Sequence, residues 1–347
     1  MRQEHREVGI TGGDPTVGDA AASSSSSFSS SIVLPVCDYD LAATLDSGQV
    51  FRWQELQGGW SGVIGKHRVW LTRVREGIRA ETVAPVKDWD WLREFLQTEI
   101  DWAAILETFP DDAPMRAAVA ACHGLRVLRQ DPWECLASFI LSSTKQIVQI
   151  RQIISLLCER FGEPFIWHQV GRAVPCAPRT TPGSQQPCDG AHGVTRPTMK
   201  FLEGDEMKGA QFSFPTPQQI AAATESELRA CKMGFRAPYL LAAARQIAGG
   251  KFDLHRPRLL PLPAARAELM KLRGVGGKIA DCVLLFAYGF DGAFPVDVWV
   301  ERALRQLYFP RRRVTAKRLR HFAATHFGSH AGCAQQYLFH YMRTKMP

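Results

Sequence analysis

The sequence predicts an α+β N-terminal domain with an antiparallel sheet, followed by an all-α domain. Three observations support this fold class. Short alternating segments bounded by turns occupy residues 50–83, strand patterns are absent after residue 130, and apolar segments with helix-capping signals dominate from there on. A chain of 347 residues is long enough for two or three domains with a sizeable core.

Residues 1–32 are predicted to form a disordered tail. They are rich in Ser, Gly and charge, with the run SSSSSFSSS at 23–31. Such a segment cannot bury enough apolar area to become ordered. We therefore expect order to begin near Val33.

Residues 33–125 are predicted to form the N-terminal domain. Its sheet is expected to be an antiparallel meander, because four alternating segments are separated by turns such as Gly58-Gly59. The predicted strands are Val50–Gln54, Trp60–Ile64, Arg68–Arg73 and Gly77–Val83, and the predicted helices are Asp88–Thr98 and Trp102–Phe109.

Residues 126–347 are predicted to form the helical domain. Its first helix has a clear start, with Asp131 as N-cap, Pro132 at the first position and Glu134 completing a capping box. Further helices are expected at Gln146–Phe161, Pro215–Arg229, Pro238–Ala248 and Ala331–Met342.

Residues 168–210 interrupt this domain with a composition rich in Pro, Gly, Thr and Gln, which is typical of a mobile insertion. The insertion contains His168, Cys176, Cys188 and His192. Two cysteines and two histidines allow a zinc interpretation, but their spacing matches none of the usual paired patterns. We therefore predict no metal site there.

The segment 272–297 carries the strongest motif. Ala264 to Leu272 suit a short helix, and Ile279 to Tyr288 read as a buried one. Between them, glycines supply the dihedral angles of a tight turn and leave backbone N–H groups open to a phosphate. The hairpin glycines are Gly274, Gly276 and Gly277.

Lys278 and Asp297 form a candidate chemical pair on adjoining helices. Lys278 lies in the first turn of the second helix, where the helix dipole disfavours a cation and favours a neutral, nucleophilic amine. Asp297 is a plausible N-cap of the following helix. Taken alone, Lys278 could be a phosphate contact or a surface residue, and Asp297 only a cap. Asp281 competes as the carboxylate, although a mid-helix acid is more often a salt-bridge partner.

The pattern Leu-x-Gly-Val-Gly-x-Lys, an apolar helix and then Val-Asp resembles the helix-hairpin-helix DNA glycosylases. Four further segments look like the 8-oxoguanine DNA glycosylases, and the resemblance covers most of residues 33–347 except the insertion. These segments are SGQVFRW at 47–53, LRVLRQDPWECLASFILSS at 125–143, MGFRAPYL at 233–240 and AGCAQQYLF at 331–339.

The resemblance implies roles for individual residues. Lys278 would attack the sugar C1′, and Asp297 would stabilise the cationic sugar. The Gly48 carbonyl would accept the N7–H that distinguishes oxidised guanine. Phe339 and Cys282 would sandwich the flipped base, while Gln335 reads its Watson–Crick edge. The spacing agrees, because Lys278 and Cys282, and likewise Gln335 and Phe339, are four residues apart on a helix face.

On the DNA-wedge side, the resemblance implies that Phe235 enters the duplex beside the target, with Arg236 nearby. This chain departs from the family pattern here. Thr144 and the two residues after it replace three asparagines, and Gln149 replaces an arginine that reads the opposite cytosine. Trp299 replaces a histidine two residues after the catalytic aspartate. Discrimination for cytosine opposite the lesion is therefore expected to be weak.

The sequence thus predicts a bifunctional glycosylase and abasic-site lyase that excises 8-oxoguanine from duplex DNA. The alternatives are an alkylbase glycosylase of the same superfamily, whose members typically lack the lysine, and a non-catalytic hairpin module that binds DNA. No cofactor is expected to be required, although a cation held by the hairpin carbonyls would suit the family. An iron–sulfur cluster is excluded, because only Cys333 follows Cys282.

Charge and cysteine content fit this prediction. The net charge is +8, and from Arg302 onwards there are ten Lys or Arg residues and no acid. Such a segment suits a phosphate backbone, though a membrane surface or a merely solvated face would also suit it. There is neither an apolar segment of membrane-spanning length nor a signal-peptide core, and nine cysteines without a C-x-x-C pair indicate reduced thiols. We expect an intracellular monomer, in the nucleus of a eukaryote or the cytoplasm and nucleoid of a bacterium.

Overall fold

The computed structural model describes residues 29–165 and 212–345. Almost all of the predicted tail and the whole predicted insertion lie outside these ranges. The described chain consists of a five-stranded sheet followed by helices, so the predicted fold class is confirmed. No helix within the described ranges is long and apolar enough to cross a membrane.

The sheet is antiparallel throughout and has the order β1-β5-β4-β3-β2. Its first strand pairs with its last, and Ile32 faces Ala80 in that register. The other strands form the predicted meander. The five strands are β1 (Ser30–Pro35), β2 (Gln54–Leu56), β3 (Gly59–Ile64), β4 (His67–Val74) and β5 (Gly77–Thr82).

Two predictions for this region were wrong. Regular structure begins at Ser30, before Val33, because pairing with β5 supplies backbone hydrogen bonds to Ser30 and Ser31 despite the low strand propensity of serine-rich sequence. Val50–Gln54 is not a strand, and β2 begins only at Gln54. Val50 and Trp53 are buried in the sheet core while Phe51 is buried in the helical core, so these residues bridge two cores instead of alternating between core and solvent.

The N-terminal half of the chain contains six helices within the described residues, and most of them begin with a side-chain cap. Asp131 accepts a hydrogen bond from the Glu134 amide as the predicted N-cap, whereas the Glu134 carboxylate pairs with Arg52 at 3.4 Å instead of completing the predicted capping box. These helices are α1 (Leu41–Leu45), α2 (Asp90–Leu96), α3 (Trp102–Glu107), α4 (Ala113–Ala121), α5 (Pro132–Leu141) and α6 (Ile147–Phe161).

The remaining helices surround the hairpin. Two of them, α11 and α12, continue directly into π-helical turns at Leu284–Tyr288 and Leu304–Tyr308. The elements are α7 (Pro217–Ala222), α8 (Glu225–Leu228), α9 (Ala237–Ala248), α10 (Leu262–Leu269), α11 (Gly277–Val283), α12 (Val298–Ala303), α13 (Ala316–His326) and α14 (Ala331–Lys345).

The predicted single helix Pro215–Arg229 is instead two helices. Thr224 caps a new start by accepting from the Glu227 amide, which separates α8 from α7. Helix α13 was not predicted, because its short apolar stripe of Leu319, Phe322, Ala323 and the flanking Phe327 lies in an otherwise polar, basic segment. In the described part of the domain after residue 130, the only β pairing is a single bridge between Pro164 and Phe212.

The boundary between the two cores also differs from the predicted break at 125. Helices α3 and α4 pack into the large helical core, although they lie inside the predicted N-terminal domain. The Trp102 indole donates to the Tyr337 hydroxyl at 2.9 Å, and that hydroxyl donates to the Leu125 carbonyl at 2.8 Å. Residues 102–121 precede the predicted break in the sequence, but their buried side chains pack in the helical core together with Tyr337 of α14.

Candidate active site

The glycine hairpin joins α10 to α11 and presents the start of α11. Gly274 has a φ of +87°, and a Cβ there would lie 2.6 Å from Cγ of Tyr239, so both conformation and space require glycine. By contrast, a Cβ at Gly276 or Gly277 would meet no atom within 4 Å. The first glycine is thus packed against α9, and the other two leave the backbone open to a ligand.

Lys278 lies half-buried in the first turn of α11, which packs against α5. Its Nζ donates to the Ser142 Oγ at 3.4 Å and lies 5.2 Å from the centre of the Phe139 ring. Phe139 is fixed in turn by stacking on Phe286 at 5.5 Å. The amine is therefore held by the C-terminal end of α5, at the edge of the helical core.

Asp297 caps α12, as predicted, by accepting from the Val300 amide at 2.8 Å. Burial raises the pKa of this carboxyl, while the amide hydrogen bond and the nearby charge of Lys278 oppose that rise. The fold therefore brings Lys278 close enough to Asp297 for its charge to lower the pKa of that carboxyl.

Cys282 and Asp281 occupy the next turn of α11. Cys282 is buried, and desolvation raises the pKa of its thiol to about 12 although the nearby charge of Lys278 opposes the rise. Asp281 accepts a hydrogen bond from Arg266 at 2.6 Å. This rival carboxylate is therefore the salt-bridge partner that its mid-helix position suggested.

The second part of the site joins Gly48 to α14. Gly48 has a φ of +82°, and a Cβ there would lie 3.4 Å from Cε1 of Phe339 and 3.0 Å from Cδ1 of Ile147. One turn before Phe339, Gln335 is only 3% exposed, and its Oε1 has no hydrogen-bond partner among the described residues. A buried amide oxygen without a partner is costly unless a ligand supplies the donor.

Three buried glutamines that were not predicted as site residues fix the backbone around Gly48. Gln49 donates to the Arg126 carbonyl at 2.8 Å and accepts from the Leu128 amide at 2.8 Å. Gln130 donates to the Gln49 carbonyl at 2.8 Å, and Gln336 donates to the Ser47 carbonyl at 3.2 Å. No local sequence signal marks them, because their partners are backbone groups on distant segments of the chain.

The predicted DNA wedge lies on the turn before α9. Phe235 is 53% exposed and packs edge-on against Tyr239, with ring centres 6.4 Å apart. Arg236 is only 2% exposed, and its Cζ lies 4.3 Å from the centre of the Phe235 ring. Arg236 is thus near Phe235, as predicted, but it supports the ring from inside the protein.

Thr144 lies in the loop from α5 to α6, and Gln149 lies in the first turn of α6. Thr144 is exposed with a φ of +56°, and its Oγ1 accepts from Arg236 Nη2 at 2.6 Å. Gln149 is exposed in the first turn of α6, where its Oε1 accepts from the Gln146 amide at 3.3 Å. Ser142, which was not predicted as a site residue, lies between this loop and Lys278.

The basic segment is exposed in the loop after the π-helical turn Leu304–Tyr308 and along α13. Arg311, Arg312 and Arg313 form the connecting loop, and Thr315 caps α13. On α12, Arg302 lies over the Trp299 ring at 5.7 Å. In the described part of the chain, no three His, Cys, Asp or Glu side chains come together in a way that could hold a metal ion.

Comparison with known proteins agrees with this architecture. Residues 31–136 match the N-terminal domain of 8-oxoguanine DNA glycosylase, and residues 137–326 match the HhH-GPD superfamily of base excision DNA repair proteins. This chain is an 8-oxoguanine DNA glycosylase of the HhH-GPD superfamily.

Individual members of the family align over most of their length. A probable N-glycosylase/DNA lyase from Methanothermobacter thermautotrophicus is 29% identical, over 89% of this chain and 95% of that protein. The N-glycosylase/DNA lyase OGG1 of Arabidopsis thaliana is 28% identical, over 86% of this chain and 76% of its own. The Clostridium acetobutylicum 8-oxoguanine glycosylase/lyase, solved with DNA containing cytosine opposite 8-oxoguanine, superposes with a TM-score of 0.73 at 28% identity, over 89% of this chain and 93% of that one.

Proposed function

We propose that this glycosylase flips 8-oxoguanine out of duplex DNA, excises it and cleaves the abasic strand through a Schiff base on Lys278. The observation that carries the proposal is the environment of that amine. It is half-buried beside Ser142, the Phe139 ring and the Cys282 thiol, and its charge acts on Asp297. A lysine placed among neutral groups and one carboxylate is suited to nucleophilic attack.

The chemistry proceeds in balanced steps. The Nζ lone pair forms a bond to C1′ while the bond from C1′ to the base breaks, and the leaving base keeps that electron pair and takes up a proton. Asp297, as a carboxylate, stabilises the positive charge on the sugar. The nitrogen of the adduct loses a proton, and the C1′–O4′ bond breaks as the nitrogen lone pair forms the protonated imine, so that O4′ keeps the bond pair and takes up a proton. Removal of a C2′ proton then breaks the C3′–O bond and expels the 3′ phosphate with that electron pair. No redox cofactor is required for any of these steps.

Base selection is proposed to use the second part of the site. The Gly48 carbonyl accepts the N7–H of the oxidised base, and Gln335 hydrogen-bonds its Watson–Crick edge. The unpartnered Oε1 of Gln335 supports this role, because a base N–H would supply the missing donor. Phe339 and Cys282 provide the two faces between which the base stacks.

DNA is proposed to bind across the hairpin and the wedge, with the protein acting as a monomer. The exposed backbone at Gly276 and Gly277 suits a phosphate, and a cation at the hairpin carbonyls would strengthen that contact. Phe235 occupies the space beside the extruded nucleotide.

The test is covalent trapping. With a duplex containing 8-oxoguanine, borohydride is expected to reduce the imine and leave a stable adduct between protein and DNA. Lys278→Gln removes the amine and should abolish the adduct, whereas Lys271→Gln, which changes an exposed lysine paired with Glu268, serves as the matched control. Undiminished trapping in the Lys278 variant would contradict the proposal.

The trapping experiment also separates the alternatives. A non-catalytic hairpin module would bind DNA without releasing a base. An alkylbase glycosylase would release methylated bases without a covalent intermediate. Base release measured with 8-oxoguanine and with 3-methyladenine duplexes, beside trapping, distinguishes the three.

A further inference from the structure

The short loop between α5 and α6 contacts both the proposed nucleophile and the predicted DNA wedge. Ser142 Oγ accepts from Lys278 Nζ at 3.4 Å and donates to the Phe139 carbonyl at 2.8 Å. Two residues further on, Thr144 Oγ1 accepts from Arg236. A tripeptide, Ser142–Ser143–Thr144, therefore spans the distance between the nucleophile and the wedge.

Arg236 is the buried support of this tripeptide. Its Nη2 donates to both the Ser143 carbonyl and Thr144 Oγ1, and its Nη1 donates to the Met233 carbonyl at 3.2 Å. The guanidinium plane also carries the half-exposed Phe235 ring. Any movement of Phe235 therefore acts on the group that holds the loop.

Thr144 has a backbone conformation that requires such support. A φ of +56° is rare for a β-branched residue, and it persists only where the surroundings determine it. Arg236 contacts Thr144 directly and the peptide carbonyl that precedes it. The amide of Lys145 donates back to the Ser142 carbonyl at 3.2 Å and closes the turn.

We propose that Arg236 is a positioning residue that couples the Phe235 side of the site to Lys278 through the tripeptide Ser142–Ser143–Thr144. The proposal rests on the proposed function, since it concerns the orientation of the same amine. When DNA displaces Phe235, Arg236 transmits the change to Thr144, and Ser142 re-orients the amine toward the sugar. Occupancy of the wedge then controls the rate of attack in addition to the affinity for DNA.

The test is a double-mutant cycle between the two ends of the tripeptide. Thr144→Val keeps the branched shape and removes the hydroxyl that Arg236 holds, and Ser142→Ala removes the acceptor for Lys278. Each should lower the single-turnover excision rate by about three- to tenfold, the effect of removing one hydrogen bond. Ser142→Ala should change the affinity for a duplex with an uncleavable abasic-site analogue by less than about twofold, because Ser142 is not among the proposed DNA-binding residues.

Coupling predicts that the double variant is no slower than the slower single variant, within about a factor of two, because both changes interrupt the same path. Thr144→Ser keeps the hydroxyl that Thr144→Val removes, so its excision rate should stay close to that of the wild-type protein. Thr216→Val, which deletes the cap hydroxyl of α7, is the matched control that loses stability without loss of rate. Thermal melts verify that every variant folds. If a loop variant fails to fold, Arg236→Lys provides a second test, because lysine cannot bond the Met233 carbonyl, the Ser143 carbonyl and Thr144 Oγ1 together.

Two outcomes would overturn the proposal. If the rate losses of Thr144→Val and Ser142→Ala multiply in the double variant, the two ends act independently. If affinity falls while the single-turnover rate stays unchanged, the loop only binds DNA. Both differ from failure of the proposed function, in which the wild-type protein neither releases 8-oxoguanine nor forms a trapped adduct.

Discussion

At the scale of single residues, the site depends on polar groups whose partners are few. The Gln335 carboxamide is buried, and its oxygen has no hydrogen-bond partner among the described residues, while the Lys278 amine lies near the Ser142 hydroxyl, the Phe139 ring and the Cys282 thiol. Thr144 and Gln149 instead lie exposed at the rim, bonded only to their own protein. The residues proposed to read the lesion are therefore different from those at the positions where the family reads the opposite base.

This separation predicts a weak preference for cytosine opposite the lesion. Threonine lacks the amide of asparagine, and glutamine cannot form the charged fork of arginine. The absence of each good hydrogen bond to a base removes about 1–3 kcal/mol of discrimination. Single-turnover rates with cytosine, thymine, guanine and adenine opposite 8-oxoguanine should differ only modestly. A cytosine preference of several hundredfold would show that other residues read that base.

Asp297 predicts the pH dependence of excision. Burial raises the pKa of its carboxyl, and only the carboxylate stabilises the sugar cation. The single-turnover rate should therefore begin to fall, on acidification, at a higher pH than an ordinary aspartate would give. Asp297→Asn should lower the rate on the order of 10²-fold or more.

The control for this pH profile is Asp281→Asn, since that carboxyl also has a raised pKa, of about 6, but lies outside the proposed pair. An acidic limb that disappears in the Asp281 variant would identify the rival carboxylate as the active one. The sign for stability is opposite to that for activity. The folded state holds the Asp297 proton more tightly than the unfolded state, so the free energy of unfolding falls as pH rises between the two pKa values.

At the scale of elements, the hairpin has one structural glycine and two open ones. Tyr239 of α9 packs against Gly274 and also carries Phe235 at its edge, so the hairpin and the wedge share a support. Gly276 caps α11 in an extended conformation with free space around it. Neighbouring glycines thus serve packing and ligand access separately.

Substituting each of these glycines should separate stability from DNA binding. Gly274→Ala introduces a Cβ against the Tyr239 ring at a left-handed φ, and should cost about 1–3 kcal/mol of unfolding free energy. The Cβ added by Gly276→Ala meets no protein atom within 4 Å, so the unfolding free energy of this variant should stay within about 0.5 kcal/mol of the wild-type value. The added methyl faces the expected phosphate and should weaken duplex binding. Denaturant melts and binding isotherms measure the two effects, and equal destabilisation by both variants would contradict this division.

Elements with strong local signals could be predicted from the sequence, and those fixed by distant contacts could not. The Asp131 cap, the glycine hairpin and the Asp297 cap each have a local physical cause, and all three were found. Strand β1 was missed because its stability comes from β5, about fifty residues away. Ser142 was missed for the same reason, since nothing near it in the sequence indicates that Lys278 lies opposite.

At the scale of the whole molecule, positive charge is unevenly distributed. The exposed arginines at 311–313 precede a helix that carries Lys317, Arg318 and Arg320, and no acid follows Arg302 in the sequence. A phosphate backbone that approaches the hairpin would experience this field beyond the catalytic residues. The basic segment is therefore expected to add affinity for DNA that does not depend on the DNA sequence.

Replacing Arg311, Arg312 and Arg313 with Gln should weaken binding to all duplexes alike. The slope of log affinity against log salt should flatten by about one for each phosphate that the protein no longer neutralises. Excision under saturating conditions should be little changed, because the catalytic residues lie on other elements. Fluorescence anisotropy over a salt series measures the slope. An unchanged slope would indicate that the three arginines form only a solvated face.

The burial of the cysteine side chains has a consequence for the conditions under which this protein works. Oxidants attack the thiolate, and the thiols of Cys282 and Cys158 have pKa values near 12 because they are buried, so they remain protonated. Of the seven cysteines within the described ranges, only Cys37 is exposed, and it lies in the N-terminal domain. Oxidants are therefore expected to react slowly with the Cys282 thiol beside Lys278. We therefore expect the proposed site to tolerate the oxidising conditions under which 8-oxoguanine forms.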